Sequence, residues 1–167
     1  MAFGVPMIEY LRKNKFLKTG KLQAIMLAPT RELALQITGE LSKLKHSMEE
    51  FRIVTVYGGV SVINQANALK SGADLFVGTT GRVLDHMERG NIDFSDVKTV
   101  ILDEADVMLK LGFKEDVEKI LKQCKEECTR DLQICLFSAT IPDWVKNIAQ
   151  EHMKNDFRVI DLAKDLS

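Results

Sequence analysis

Apolar runs of strand length alternate along the chain with stretches whose apolar residues recur every three or four positions. Gln23 to Ala28 is an apolar run of strand length. After it, Leu33, Ile37, Leu41, Leu44 and Met48 are spaced by four and three, which predicts one face of a helix over Thr30 to Met48, with Thr30 able to cap it. The alternation continues. Strands are expected at Ile53–Tyr57, Asp74–Gly78, Thr99–Leu102, Leu132–Phe137 and Phe157–Ile160. Helices are expected at Phe3–Leu11, Val62–Lys70, Arg82–Glu88, Phe113–Cys128 and Asp143–Met153, the first already under way where the chain starts.

Strands that are apolar throughout, separated by helices, predict an α/β fold: a parallel sheet covered on both faces. In open sheets of this kind, ligands bind beyond the carboxyl ends of the strands. Five predicted strands end there in polar or glycine-bearing segments. These are Pro29-Thr30-Arg31, Gly58-Gly59, Thr79-Thr80-Gly81-Arg82, Asp103-Glu104 and Ser138-Ala139-Thr140. One functional rim is therefore expected. There is no internal repeat, low-complexity tract or linker.

Composition narrows the classes. The 167 residues suit one domain with its own core. They are 46% hydrophobic and 28% charged, with 23 Lys+Arg against 24 Asp+Glu. A net charge of -1 means that any nucleic-acid site must be a local patch. No apolar run is long enough to span a bilayer, and there is no secretory signal pattern. Three cysteines cannot pair evenly, so reduced thiols in an intracellular compartment are expected.

The acidic tetrad Asp103-Glu104-Ala105-Asp106 is the sharpest chemical signal. An Asp ending a buried strand can hold Mg²⁺ through its water shell. The adjacent Glu can orient the water that attacks a γ-phosphate. The bland reading is a strand end that caps the next helix. Chance occurrence of the tetrapeptide at a given position is on the order of 10⁻⁵ from average residue usage, which favours chemistry.

The segment Val100 to Leu109, followed by Gly112-Phe113, resembles motif II of the DEAD-box RNA helicases. Ala28-Pro29-Thr30-Arg31-Glu32-Leu33 resembles their motif Ia, and Gly58-Gly59 their GG doublet. Thr79-Thr80-Gly81-Arg82 resembles motif Ib, with Thr80 where the family usually has Pro. Phe137-Ser138-Ala139-Thr140 resembles motif III. The motifs keep family order and span Pro6 to the C-terminus. Ile141-Pro142-Asp143-Trp144-Val145 is similar to the nucleolar RNA helicase II (Gu) subgroup, which would imply a nuclear or nucleolar location.

The resemblance implies a RecA-like sheet of the P-loop NTPase type with helices on both faces, the first of two such domains, using ATP and Mg²⁺. Asp103 would position the Mg²⁺ and Glu104 would act on the attacking water. Asp106, Ser138 and Thr140 would couple the nucleotide state to RNA. Pro29, Thr30, Arg31, Gly58, Gly59, Thr79, Gly81 and Arg82 would hold the RNA backbone, with little sequence specificity. Thr80, in place of Pro, is expected to cap the helix that follows.

A Walker A loop needs Gly-x-x-x-x-Gly-Lys-Ser/Thr. Thr19-Gly20-Lys21 fails this pattern, because Lys15 stands five before Gly20 and Leu22 follows the Lys. Family order places the true loop before Met1. The expectation is therefore an N-terminally truncated domain over residues 1–167 that lacks its first strand and phosphate loop. Such a chain would not hydrolyse ATP alone and could self-associate through an exposed sheet edge. A nucleotide-independent RNA- or protein-binding regulatory fragment is the alternative. Among the remaining residues, Cys124, Cys128 and Cys135 read as core or half-buried thiols without metal, Trp144 as a packing anchor, and His46, His86 and His152 as surface residues.

Overall fold

The protein is described by a computed structural model covering residues 4–14, 16, 19–44, 51–129 and 131–153. Its strands are β1 (Ala24–Ala28), β2 (Ile53–Val56), β3 (Leu75–Thr79), β4 (Thr99–Leu102) and β5 (Gln133–Leu136). Its helices are α1 (Gly4–Lys13), α2 (Arg31–Leu44), α3 (Val62–Lys70), α4 (Thr80–Glu88), α5 (Ala105–Lys110), α6 (Lys114–Glu127) and α7 (Asp143–His152). The strand expected at Phe157–Ile160, His46 and the end of the helix expected to reach Met48 lie outside the described residues.

The five strands form one sheet in the order β2-β3-β1-β4-β5, and every pairing is parallel. β1 is the central strand, with Ala28 opposite Thr79 of β3 and Leu27 opposite Leu102 of β4. All five of its residues are buried. Their alternation divides the interior into two layers. Ala24, Met26 and Ala28 face Met7, Ile8 and Leu11 of α1 and Ala34, Ile37 and Leu41 of α2. Ile25 and Leu27 face the other layer, with Val83 of α4, Met108 of α5, Val117, Ile120 and Leu121 of α6 and Ile148 of α7. Each large apolar side chain withdrawn from water adds roughly 1.5–3 kcal/mol before the entropy of ordering it is subtracted.

Residue chemistry sets the element ends. The Thr30 hydroxyl accepts from the Leu33 N–H at 3.2 Å, the N-cap expected for α2. Ser61 does the same for Asn64 at the start of α3. Thr19-Gly20-Lys21 bends ahead of β1, at the amino end of the strands, opposite the rim where a phosphate loop belongs. The helix α5 is not foreseen by periodicity. It has only six residues, and its first two lie inside the acidic tetrad.

Gly78 shows how tightly β3 is held. A Cβ there would lie 2.5 Å from Val83 Cγ2 and 2.6 Å from Val56 Cγ2. Both valines are buried, so neither can withdraw. Gly78→Ala is expected to destabilise the chain by about 1–3 kcal/mol through overpacking, read as a lower urea midpoint at unchanged slope.

Candidate functional site

Because every strand is parallel, all five carboxyl ends lie along one edge of the sheet. Strand order then sorts the segments in a way that chain order does not. Across the edge run Gly58-Gly59 after β2, Thr79 to Arg82 after β3, Pro29-Thr30-Arg31 after β1, Asp103-Glu104 after β4 and Ser138 to Thr140 after β5. Four inter-strand steps make this rim about 19 Å wide. The residues expected to hold RNA occupy the β2-β3-β1 side, and those expected to serve catalysis and coupling occupy the β4-β5 side.

On the β4-β5 side the strand ladder extends one residue past β4, with the Asp103 N–H donating to the Leu27 carbonyl at 3.0 Å. Asp103 is thereby fixed to the central strand. Its carboxyl is half-buried, and that burial raises its pKa above the ordinary carboxylate value. Repulsion from Glu104 adds to the rise, while the Glu104 N–H, 3.1 Å from Oδ1, opposes it. A carboxylate reluctant to ionise alone, at a strand end and beside a second acid, suits a divalent cation that restores its charge.

Glu104 departs from ordinary geometry. Its φ of 53° and ψ of 51° place it in the left-handed region, and among described residues it is the only non-glycine with positive φ. That conformation costs roughly 1–2 kcal/mol for an L-residue. It reverses the chain between β4 and α5 and leaves Glu104 exposed at the rim. The Ala105 N–H, donating to the Phe137 carbonyl at 3.0 Å, holds the reversal against the end of β5.

Asp106 joins the two acidic and hydroxyl motifs. Its Oδ2 accepts from the Thr140 hydroxyl at 2.9 Å and the Thr140 N–H at 3.2 Å. Its own N–H donates to Ser138 Oγ at 3.2 Å, and Ser138 donates onward to the Thr140 carbonyl. Burial works against ionisation of Asp106. The Thr140 and Ser138 hydroxyls and the N–H groups of Val107 and Thr140 outweigh it and hold the pKa below the ordinary value.

On the other side, Arg31 is exposed and lies over the Tyr57 ring, 4.8 Å from its centroid. Gly58 and Gly59 are exposed, and Gly59 has a φ of 85°. Any side chain at Gly59 would be strained and would stand 3.4 Å from Arg31 Nη1. Arg82 is largely withdrawn, with its side chain 14% exposed. Its Nη1 donates to the Val60 carbonyl at 2.9 Å and to Gln65 Oε1 at 3.1 Å. Gly81 is exposed, Thr79 extended, and Pro29 buried beneath the turn.

Three expectations are corrected. Thr80 does not cap α4: it is the helix's first residue, is 1% exposed, and its hydroxyl finds no partner among the described residues. His86 is not a surface residue but is wholly buried between Gln65 and Asn91. His152 is also mostly buried, with its Nε2 3.8 Å from Glu151. One ligand atom each from His152, Glu151 and Glu118 lies within 4.8 Å of the others. Sequence reasoning missed Gln65, His86 and Asn91. The spacing of Thr80, Val83 and His86 by three was the available sign that His86 shares the buried face of α4.

An all-parallel five-stranded sheet with an Asp-Glu pair at the end of β4, tied to a hydroxyl motif after β5, is the arrangement of a RecA-like domain. Residues 1–148 match the DEAD/DEAH box helicase family, and the chain belongs to it. The chain is 41% identical over 166 residues to the DEAD-box ATP-dependent RNA helicase CshA of Geobacillus kaustophilus, covering 99% of this chain and 34% of that protein. It superposes on the crystal structure of a DEAD box protein from the hyperthermophile Methanococcus jannaschii with a TM-score of 0.73 and 44% identity, covering 81% of this chain and 36% of that one. For the yeast DEAD-box splicing factor Prp28 the TM-score is 0.83 at 29% identity, covering 92% and 37%. The chain spans about a third of the length of the curated relatives it matches. These relatives support the family and do not select the Gu subgroup. No helix among the described residues is long and apolar enough to cross a membrane.

Two outcomes test this geometry. Thr80→Val removes an unpartnered buried hydroxyl at nearly constant volume, and is expected to raise stability by about 1 kcal/mol in chemical denaturation. A double-mutant cycle of Asp106→Ala and Thr140→Ala is expected to show coupling of about 1 kcal/mol at pH 7. Because the native pKa of Asp106 is lowered, its contribution is full above the ordinary 3.8 and is lost as pH falls below that through the native value. Stability curves of the four proteins across acid pH check both the size and the sign.

Proposed function

We propose that this chain forms part of the first RecA-like domain of an ATP-dependent RNA helicase. The carrying observation is the sorted rim, which puts Asp103 and Glu104 on one sheet edge with Arg31, Gly59 and Arg82. Asp103 would hold Mg²⁺, and Glu104, presented outward by its left-handed backbone, would orient the attacking water. Bound Mg²⁺ supplies charge neutralisation for the transferring phosphoryl group. Asp106, Ser138 and Thr140 couple this chemistry to RNA, since any shift of the acidic motif is passed to Thr140 through their shared hydrogen bonds. Pro29, Thr30, Arg31, Gly58, Gly59, Thr79, Gly81 and Arg82 form the surface for an RNA backbone. Arginine guanidinium, exposed glycine N–H groups and helix N-termini suit phosphate and read little sequence. A second RecA-like domain completes the unwinding activity.

The 167 residues contain no Gly-x-x-x-x-Gly-Lys-Ser/Thr. This favours a second reading for the chain in isolation, a nucleotide-independent RNA-binding fragment. A thermal melt with Mg-ATP tests whether the chain by itself is nucleotide-blind. A ligand at about 100 times its dissociation constant adds roughly 2.7 kcal/mol. No shift and no RNA-stimulated ATP hydrolysis are expected of the pure chain. A clear shift would show that phosphates find another cradle.

A further inference from the structure

Behind the proposed RNA surface lies a buried polar chain that none of the motifs accounts for. Gln65 of α3 is 7% exposed and His86 of α4 is 0% exposed. Gln65 Nε2 donates to the Tyr57 carbonyl at 3.0 Å, and its Oε1 faces Arg82 Nη1 at 3.1 Å and His86 Nε2 at 3.0 Å. Asn91 Nδ2 lies 3.1 Å from His86 Nδ1, and the Asn91 N–H donates to the His86 carbonyl at 2.9 Å.

These contacts fix the orientation of the Gln65 amide. A guanidinium only donates, so the Gln65 atom facing Arg82 must be the oxygen. The other Gln65 atom faces a carbonyl, so it must be the NH₂. The amide is thus fixed from both ends. His86 Nε2, facing the same oxygen, must carry a proton, and with Asn91 Nδ2 turned toward it Nδ1 accepts. His86 is neutral in this arrangement. Burial lowers its pKa, and the Arg82 charge adds to the effect.

The chain ends at the residues that matter. Arg82 Nη1 is shared between Gln65 and the Val60 carbonyl, one residue past Gly59. Gln65 also grips the Tyr57 carbonyl, one residue before Gly58, and the Tyr57 ring lies under Arg31. Both sides of the glycine turn are therefore held through one amide and one guanidinium.

We propose that Gln65, His86 and Asn91 are positioning residues of the RNA surface, which fix Arg82 and the Gly58-Gly59 turn in the arrangement that meets an RNA backbone. This rests on the RNA-binding reading above. Half of Arg82's function is structural: it closes the turn from behind while its charge supports the patch. Gln65 acts through Arg82, and His86, held by Asn91, keeps the Gln65 oxygen aimed at Arg82.

The test is fluorescence anisotropy of a labelled single-stranded uridine oligonucleotide with the full chain, over a series of salt concentrations. Gln65→Met and Arg82→Ala are each expected to weaken binding about tenfold and to lower the salt slope by about one. The double variant is expected to bind no worse than Arg82→Ala alone. His86→Gln keeps a donor toward Gln65 and is expected to stay within about twofold of the parent, while His86→Leu weakens binding like Gln65→Met. Thermal melts confirm that each variant folds; should Gln65→Met not fold, Asn91→Ala, at a half-buried position, replaces it in the cycle. Additive losses in the double variant, or unchanged binding by both Gln65→Met and His86→Leu, would overturn the positioning role and leave the surface reading standing. Failure of the parent chain to bind the oligonucleotide in a salt-dependent way would overturn the surface reading itself, and the positioning role with it.

Discussion

The parallel pairing of β1 with both β3 and β4 is the constraint on which everything else depends. It buries the central strand on both faces, which requires helices above and below. It also sends every connection back across the sheet, so that all strands finish at one edge. The rim follows from that geometry. Five segments separated by more than a hundred residues of chain become neighbours because of strand order alone. The order β2-β3-β1-β4-β5 then keeps the acidic and hydroxyl motifs together and the arginine and glycine segments together.

The two sides of the rim are built with different chemistry. On the β4-β5 side, main-chain groups continue the sheet past its formal end. Asp103 bonds to Leu27, Ala105 to Phe137, and Phe137 to Leu102. The strained backbone of Glu104 persists because those bonds over-determine it. On the other side the sheet ends sooner, and side chains replace the ladder. Gln65 and Arg82 bond to the carbonyls of Tyr57 and Val60, which have no strand partner at that point. A buried polar network is stable only when fully satisfied, and this one is satisfied down to the bare nitrogen of His86.

Much of this was legible in the sequence. The strands announced themselves because double burial demands unbroken apolar runs, as in Ile25-Met26-Leu27, and the strand-end positions of all five motif segments followed from the parallel topology. Two kinds of feature escaped. The helix α5 is too short for periodicity to register, and the acidic tetrad it begins in spoke first for chemistry. His86 and Gln65 were missed because burial of a polar side chain depends on partners brought in from distant segments. Nothing local in Val62 to Lys70 says that the carbonyl of Tyr57 will need a donor. Thr80 was misjudged for a related reason. Capping requires the residue before the helix, and α4 begins two residues earlier than the apolar pattern suggests.

The half-withdrawn state of Arg82 bears on how the RNA surface proposed above would be non-specific and still ordered. A phosphate backbone repeats regularly, so charges that hold it must keep fixed spacing rather than fixed partners. Free, fully solvated arginines would supply charge without spacing, because their side-chain entropy must be lost on binding. Here Arg82 is held by Val60 and Gln65, and Arg31 is laid on the Tyr57 ring. The ordering cost falls on folding rather than on binding, and it is borne by a buried amide and imidazole. A surface of the proposed kind would therefore need neither an excess of positive charge nor a large patch, in a chain whose net charge is only -1.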